Sequence, residues 1–366
     1  TPVGKVEALR ATVVHARGAD PRLGAVLPFM TRTMLTGVYD IPKGEFNAKS
    51  VVTNTTPIVA YRGAGRPEAT AAIERVMDLY AVEIGMDPAD VRRKNLIARD
   101  AFPYTTATGT EYDIGDYDRA LDLVLDASGY QELRTEQQRR RDAGDRVQLG
   151  IGVVVYVEIT NVERSAEFAS VEVLPDGKAV VRTGTSPHGQ GHATAWAMLA
   201  SEQTGIPIAD IQVVHGDTDQ VPTGGGTSGS RSLQAGGVAV NQAAIALVDQ
   251  ARQRAADLLE ANPDDVVLDR VDARFHVAGT PALGKSWGEL AAGAADPLRA
   301  EVNFNPTGAT FPFGAHVAVV EVDTETGRVE LQRMIAVDDA GRILNPLLAE
   351  GQIHGGLAQG IAQALF

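Results

Sequence analysis

Apolar and polar residues alternate over positions 5–15 (KVEALRATVVH), which predicts a strand, and the Val- and Thr-rich stretch 50–60 predicts another. The period then changes. Residues 62–67 (RGAGRP) break the pattern as a loop. Positions 68–84 (EATAAIERVMDLYAVEI) take up helical spacing, with Pro67 just ahead, where a helix start tolerates proline. Asp87-Pro88 predicts a second helix with Asp87 as its N-cap, because the carboxylate can accept from first-turn amides. The strongly polar stretch 129–146 reads as an exposed helix or a linker.

Strand-like runs follow at 148–160 and 167–174, and the turn Pro175-Asp176-Gly177 leads into a strand at 178–184. A glycine-punctuated loop opens a helix near Gln190 that ends at Gly205-Ile206-Pro207. Residues 211–215 form a short buried strand, and the flexible turn 223–232 (TGGGTSGSRS) leads into a long helix ending near Asn262-Pro263. Late in the chain, 316–323 and 327–337 pair as a hairpin around Thr324-Glu325-Thr326. A last apolar, glycine-dotted helix starts near Asn345-Pro346 and runs to Phe366. Hairpins mixed with crossovers, and no tandem repeat, predict an α+β protein of two mixed α/β domains, 1–145 and 146–366.

Composition narrows the partners more than the fold. The chain has 366 residues, 44% hydrophobic and 22% charged, enough for proper cores. A net charge of −14 argues against nucleic acid or an anionic membrane surface as partner. No apolar run reaches the ~20 residues that cross a bilayer. Cysteine is absent, so the chain forms no disulfide, ligates no iron–sulfur cluster and carries no thiol nucleophile. A start at Thr1-Pro2, without Met or a signal-peptide pattern, reads as an internal segment of a longer polypeptide.

Four segments carry candidate chemistry. In AYRGAGRPEA, three small residues between Arg62 and Arg66 let the backbone approach a ligand while a guanidinium points at it; an ordinary strand-to-helix loop is the competing reading. In TSPHGQGH, glycines ahead of a helix expose amides suited to a phosphate or pterin oxygen. His188 and His192 stand four apart, as metal ligands could, but Gly189 occupies the place where a zinc protease needs Glu. The third, GDTD followed by GGGTSGSRS, crowds hydroxyls, amides and Arg231 before a long helix, as a phosphorylated ligand would need. It lacks the Gly-Lys-Ser/Thr ending of a P-loop, and a linker is the alternative. In the fourth, Asp338-Asp339-Ala340-Gly341 precedes Asn345-Pro346 and GQIHGG, where Gly355 and Gly356 inside a helix suggest close packing on a backbone or a ligand.

Together these wordings, in this order and over nearly the whole chain, resemble the molybdopterin-binding large subunit of molybdenum hydroxylases of the xanthine dehydrogenase and aldehyde oxidase type. AYRGAGRPEA with DPADVRRKNLI, TSPHGQGHATAWA, GDTD…GGGTSGSRS and NPLLAEGQIHGGLAQGIAQALF carry the resemblance. It implies that Gln190, Gly191, His192, Thr227, Ser228, Gly229, Ser230, Arg231, Ser232 and Gln352 surround a molybdenum-bearing molybdopterin, in bacterial members the cytosine dinucleotide form. Asn345 would order the loop before the last helix, and Arg62 would position substrate and stabilise charge developing on it. No residue of the chain is expected to ligate a metal directly.

The implied reaction hydroxylates an aldehyde or an N-heteroaromatic (xanthine-like) substrate with water-derived oxygen. Electrons would pass to iron–sulfur clusters and FAD on a small and a medium partner subunit, in a dimer of heterotrimers, in the cytoplasm with the periplasm left open. Two departures matter. Copper-containing carbon monoxide dehydrogenases carry a cysteine directly after the arginine, and here Gly63 stands there, which disfavours that chemistry. The family's general-base glutamate would lie beyond Phe366 and a glutamine-bearing segment before Thr1. The chain alone is then expected neither to bind molybdopterin tightly nor to turn over, and the remaining part of the large subunit becomes a partner. Two further readings stay open: a non-catalytic half of a split large subunit that completes a partner's site, and a zinc hydrolase using His188 and His192.

Overall fold

A computed structural model describes residues 1, 3–20, 22–293 and 295–366. In chain order, the first stretch runs β1 (Leu9–Ala16), α1 (Leu27–Thr33), β2 (Gly44–Val51), α2 (Arg66–Ile84) and α3 (Pro88–Asn95). It continues through β3 (Tyr104–Thr105), β4 (Glu111–Tyr112), α4 (Tyr117–Ser128), α5 (Tyr130–Ala143) and β5 (Val147–Val157). The middle stretch holds β6 (Glu167–Val173), β7 (Ala179–Thr183), α6 (His192–Thr204), β8 (Ile211–Val214) and α7 (Val238–Leu259). It ends with β9 (Val266–Asp269), β10 (Arg274–Val277), β11 (Gly284–Ser286), α8 (Trp287–Ala292) and β12 (Leu298–Phe304). The last stretch is β13 (Phe313–Asp323), β14 (Val329–Asp339) and α9 (Pro346–Leu365).

Two compact units result, and each is discontinuous in sequence. The first comprises Thr1–Ile159 and Thr310–Gly341, the second Thr160–Ala309 and Arg342–Ala364, with the last two residues falling one to each. A cut at residue 145 does not describe these units. β5 pairs along its whole length with β13, from Phe313↔Val157 to Asp323↔Val147, so β5 and the β13–β14 hairpin join the elements that precede them.

In the first unit β1 and β2 form a parallel pair in register Leu9↔Gly44. The strand expected at 50–60 is not there. β2 stops at Val51, and beyond it only single bonds tie the segment alongside residues 17–19, from Thr53 N to Gly18 O (3.1 Å) and from Ile58 N to Arg17 O (3.1 Å). Pro57 between them has no amide to continue a ladder. α2 begins with Pro67 in its first turn and ends at Gly85 in the left-handed region. It buries Ala69, Ile73, Met77 and Ala81, one every fourth residue. Asp87 caps α3 as expected, accepting from Ala89 N at 2.8 Å. The 129–146 stretch folds as α5, a helix that buries only Tyr130 and Gln137. Gln137 donates to Leu149 O on β5 at 2.8 Å.

The second unit is a four-stranded sheet in the order β12–β6–β7–β8, antiparallel except for the β7–β8 pair that α6 joins. α7 lies on this sheet through Ala239, Ala243, Ala244, Leu247, Ala251 and Ala255. The small side chains let helix and sheet approach closely, and they share a core with Val171, Val181, Trp196, Phe275 and Trp287. Each large apolar side chain so buried contributes about 1.5–3 kcal/mol. β9–β10–β11 make a separate antiparallel sheet, and α8 opens on a full capping box between Ser286 and Glu289. Among the described residues no helix is long and apolar enough to cross a membrane.

Candidate functional site

β7 ends at Thr183, where hydroxyls take over from the ladder. The Thr183 and Thr185 hydroxyls lie 3.0 Å apart, and Thr185 Oγ1 accepts from Trp196 Nε1 at 3.2 Å. This fixes the start of the 185–191 loop against α6. Gly191, left-handed at φ +76, then turns the chain into that helix without any side-chain cap. The first-turn amides of α6 are therefore left to a ligand or to water. Gln190 folds back, its Oε1 accepting from the His188 amide. His192 is only 4% exposed, its ring 5.0 Å from Trp196, and its Nδ1 has no hydrogen-bond partner. Burial, and then the charges of His215 and His188, hold its pKa below the usual imidazole value, so the ring is neutral at neutral pH.

The 223–232 segment is an ordered loop rather than a linker. Gly226 N donates to Gly184 O at 3.1 Å, and a Cβ on Gly184 would stand 2.4 Å from the Gly224 Cα, so only glycine fits this crossing. Thr227 Oγ1 meets Ser232 Oγ at 2.9 Å, and the Gly229 carbonyl accepts from Asn161 N at 2.6 Å. Asn161 in turn donates to Gln234 Oε1 at 2.9 Å, and Gln234 to Gly308 O at 2.9 Å. Ser228, Gly229 and Ser230 are exposed, Thr227 and Ser232 partly so. Arg231 is buried. It pairs with Glu167 at 2.6 Å, so its guanidinium is committed inside the fold rather than turned outward. The loop passes through a π-helical turn, Ser232–Gly237, into α7, and a Cβ on Gly236 would press on Thr185 at 2.5 Å.

Asn345 caps α9 by accepting from Leu348 N at 3.1 Å, and its Nδ2 reaches Met198 Sδ on α6 at 3.4 Å. A Cβ on Gly191 would strike Leu348 at 2.6 Å. Gln352 lies one turn further on, exposed, and α9 buries no residue at all. On this helix Gly355 is exposed and Gly356 partly buried. The segments 185–192, 223–237 and 345–348 thus meet around Thr185, Trp196 and Gly191, whereas Arg231 is buried against Glu167 and Gln352 lies exposed further along α9.

Arg62 belongs to the first unit. It is exposed on a turn between Tyr61 and α2, where Gly63 (φ +94) and Gly65 (φ +88) adopt left-handed conformations. A Cβ on Gly63 would lie 2.6 Å from the Pro67 ring, and one on Gly65 would meet the α1 backbone at 2.8 Å. Arg66 is buried and holds the turn, donating through Nε to Glu158 Oε1 at 2.9 Å and through Nη1 to Ala64 O at 3.0 Å. Of the two arginines, Arg66 is a strut and Arg62 the one presented at the surface.

Sequence reasoning missed Glu167, Asn161 and Gln234, and it gave Thr185 and Trp196, both within the TSPHGQGHATAWA segment, no role of their own. Glu167 opens a strand, EFASVEV, that also carries Ser170 and Glu172, so its type alone does not mark it out, and the partners of all these residues are set by tertiary contact. His188 and His192 do not form a metal centre. Among the described residues no three His, Asp or Glu side chains gather as a metal would need, and the His192 ring is packed against Trp196.

Two families with the description "Molybdopterin cofactor-binding domain" match residues 1–96 and 123–366. The carbon monoxide dehydrogenase large chain of Hydrogenophaga pseudoflava is 39% identical over 391 residues, covering 100% of this chain and 48% of its own length. The solved structure of a Cu,Mo-CO dehydrogenase matches with TM-score 0.87 and 35% identity, over 98% of this chain and 48% of its own. Quinoline 2-oxidoreductase from Pseudomonas putida 86 matches with TM-score 0.89 and 32% identity, over 99% and 49%. The chain spans about half the length of these relatives.

Proposed function

The chain belongs to the molybdopterin cofactor-binding family of the molybdenum hydroxylases, and from that premise we propose that its second unit holds the pterin and nucleotide of a molybdenum cofactor in an oxidoreductase. The observation that carries this is the meeting of the 185–192 and 223–237 segments with the Asn345 cap, all offering amides and hydroxyls and no thiolate. The donor set fits a pterin and a phosphate-bearing group. Uncapped amides at the start of α6 suit anionic oxygen, and the unpartnered His192 Nδ1 is a buried polar atom that a ligand would satisfy. Gln190, Gly191 and His192 would hold one part of the group, and Thr227, Ser228, Gly229, Ser230 and Ser232 another. The cytosine dinucleotide form is the one we propose.

When bound, the cofactor supplies the two-electron redox chemistry of hydroxylation with water-derived oxygen. What the chain contributes is orientation and charge. Arg62 we assign to substrate: a planar, permanently charged fork suits an oxygen or ring nitrogen on which negative charge builds. For substrate class we propose an N-heteroaromatic compound or an aldehyde. Gly63 supports this over carbon monoxide. Its left-handed backbone and the Pro67 ring leave no room for a side chain, so a copper-ligating cysteine does not fit this turn as it stands.

Iron–sulfur and FAD chains, together with polypeptide equivalent to the rest of the relatives' length, are the proposed partners. The exposed apolar side chains of α9, Leu347 and Ile353 among them, favour this, since they offer apolar area to another surface. They equally suit the reading in which the chain completes a partner's site. The assembly purified with its partners should release cytidine nucleotide and molybdenum on acid treatment. It should also carry 18O from labelled water into a quinoline-type or aldehyde substrate. Undiminished hydroxylation by protein from tungstate-grown cells would refute the proposal.

A further inference from the structure

We propose that Glu167 and Arg231 act as a pair of positioning residues, which hold the 224–232 loop in the shape that presents its amides and hydroxyls, and that Arg231 itself binds no phosphate. The inference rests on the reading above that this loop faces the cofactor, but it concerns how the loop gets its shape.

A guanidinium carries five N–H donors in a rigid fork. Arg231 Nη1 donates to Glu167 Oε2 at 2.6 Å and to Gly226 O at 3.2 Å, and Nη2 donates to Ala166 O at 2.6 Å and Ser165 O at 3.3 Å. The other carboxylate oxygen accepts from Phe168 N at 3.1 Å. The side chains are 3% and 0% exposed, and four of the five donors are spent within the fold, the buried Nε–H having no partner. The loop is wrapped directly on it. A Cβ on Gly225 would stand 2.4 Å from Arg231 Nη1, and one on Gly184 would stand 2.1 Å from Glu167 Oε1. Gly225 is thus set by the ion pair beneath it, and Gly224 by the backbone at Gly184. Together with the Asn161 bond to Gly229 O, the chain is fastened at 226, 229 and 231, while Ser228 and Ser230 stay outward.

Burying two charges costs desolvation, and a well-packed apolar pair would hold a core as well. An apolar pair could not reach three main-chain carbonyls at once; the arginine fork does. That is a reason for this pair to be an arginine and a glutamate.

The two roles for Arg231 differ in the sign of one variant. If Arg231 bound anions, Glu167→Gln would remove a competing negative charge and tighten them. If the pair positions the loop, Glu167→Gln weakens them. The test uses the full chain, with inorganic pyrophosphate as titrant and hydrogen exchange of the 224–230 amides as the second readout. Glu167→Gln and Arg231→Lys are each expected to speed that exchange, and to weaken pyrophosphate, by at least about tenfold, the loss of one charged hydrogen bond. Exchange in β6 and β7 should stay as in the parent. Gly225→Ala, which keeps both charges and displaces the guanidinium, should do the same, and it decides the matter if the charge variants fail to fold. Parent-like loop exchange in Glu167→Gln, or tighter pyrophosphate, overturns the proposal. If the parent chain binds no pyrophosphate, loop exchange alone decides the positioning role, and the cofactor reading stands or falls on nucleotide and molybdenum release from the assembly.

Discussion

At the scale of single residues, glycine and histidine carry the sharpest consequences. Gly63 sits at φ +94 with the Pro67 ring where a side chain would begin. Gly63→Ala should therefore lose about 1–3 kcal/mol, read as a fall in thermal midpoint. Gly63→Cys should lose at least as much; an unchanged midpoint for either would mean the turn relaxes freely. His192 makes stability depend on pH. Its folded pKa is lowered, chiefly by burial and then by His215 and His188, so the unfolded chain binds the proton more readily. The contribution is complete above the ordinary imidazole value near 6.5 and declines as pH falls through it toward the folded pKa. Urea unfolding between pH 5 and 8 should show the second unit weakening on the acid side, and His192→Phe should flatten that slope. Of the residues named for the site, the sequence made legible those whose type is local chemistry, such as Gly191 and the Asn345 cap. Arg231 was read as a cation facing a phosphorylated ligand, not as the partner of Glu167, because 64 residues separate the two and only the sheet brings them together.

Among the elements, α2 and α3 show what periodicity reveals and what it hides. The four-residue spacing of Ala69, Ile73, Met77 and Ala81 announces the helix, and Asp87 announces the next one. Glu74, on the same buried face, breaks the apolar stripe. It pairs with Arg92 at 2.7 Å and accepts from the Tyr39 hydroxyl, all three side chains being nearly inaccessible. Burial raises the Glu74 pKa even though Arg92 and Tyr39 oppose the shift. Arg92→Met leaves that carboxylate unpaired in the interior and should cost about 3–5 kcal/mol, measured as a shift of the first unit's urea midpoint. A loss below 1 kcal/mol would show that the pair is dispensable. Most of the elements the sequence left unread are short, though α4, 12 residues long, was also missed. α1, the β9–β11 sheet and α8 run 3 to 7 residues, too few for a period of 2 or 3.6 to repeat. β12 is long enough, but its alternation was lost in the surrounding loops.

For the whole molecule, the α+β class and most strand and helix positions were legible, since they follow from patterning, whereas the interleaving of the two units was not. A sequence boundary is visible where composition changes; a strand that waits for a partner far along the chain leaves no such mark. β5 ends at Val157 and its partner begins at Phe313. Protein synthesis gives that separation a duration. At about 5–20 residues per second, roughly 8–30 s pass between the two on a ribosome. All of 160–309 emerges in the interval, so the inserted unit can collapse while its host still holds an unpaired strand, a state prone to wrong pairing. An arrest-peptide force profile should show a pull from the second unit's sheet before any from the first, whose main peak appears only once Asp323 has cleared the exit tunnel. A strong peak as β5 emerges would mean the first unit closes without its late strand. Supplying a chaperone that shields exposed strands should raise the yield of folded chain, and slowing translation between these points should lower it.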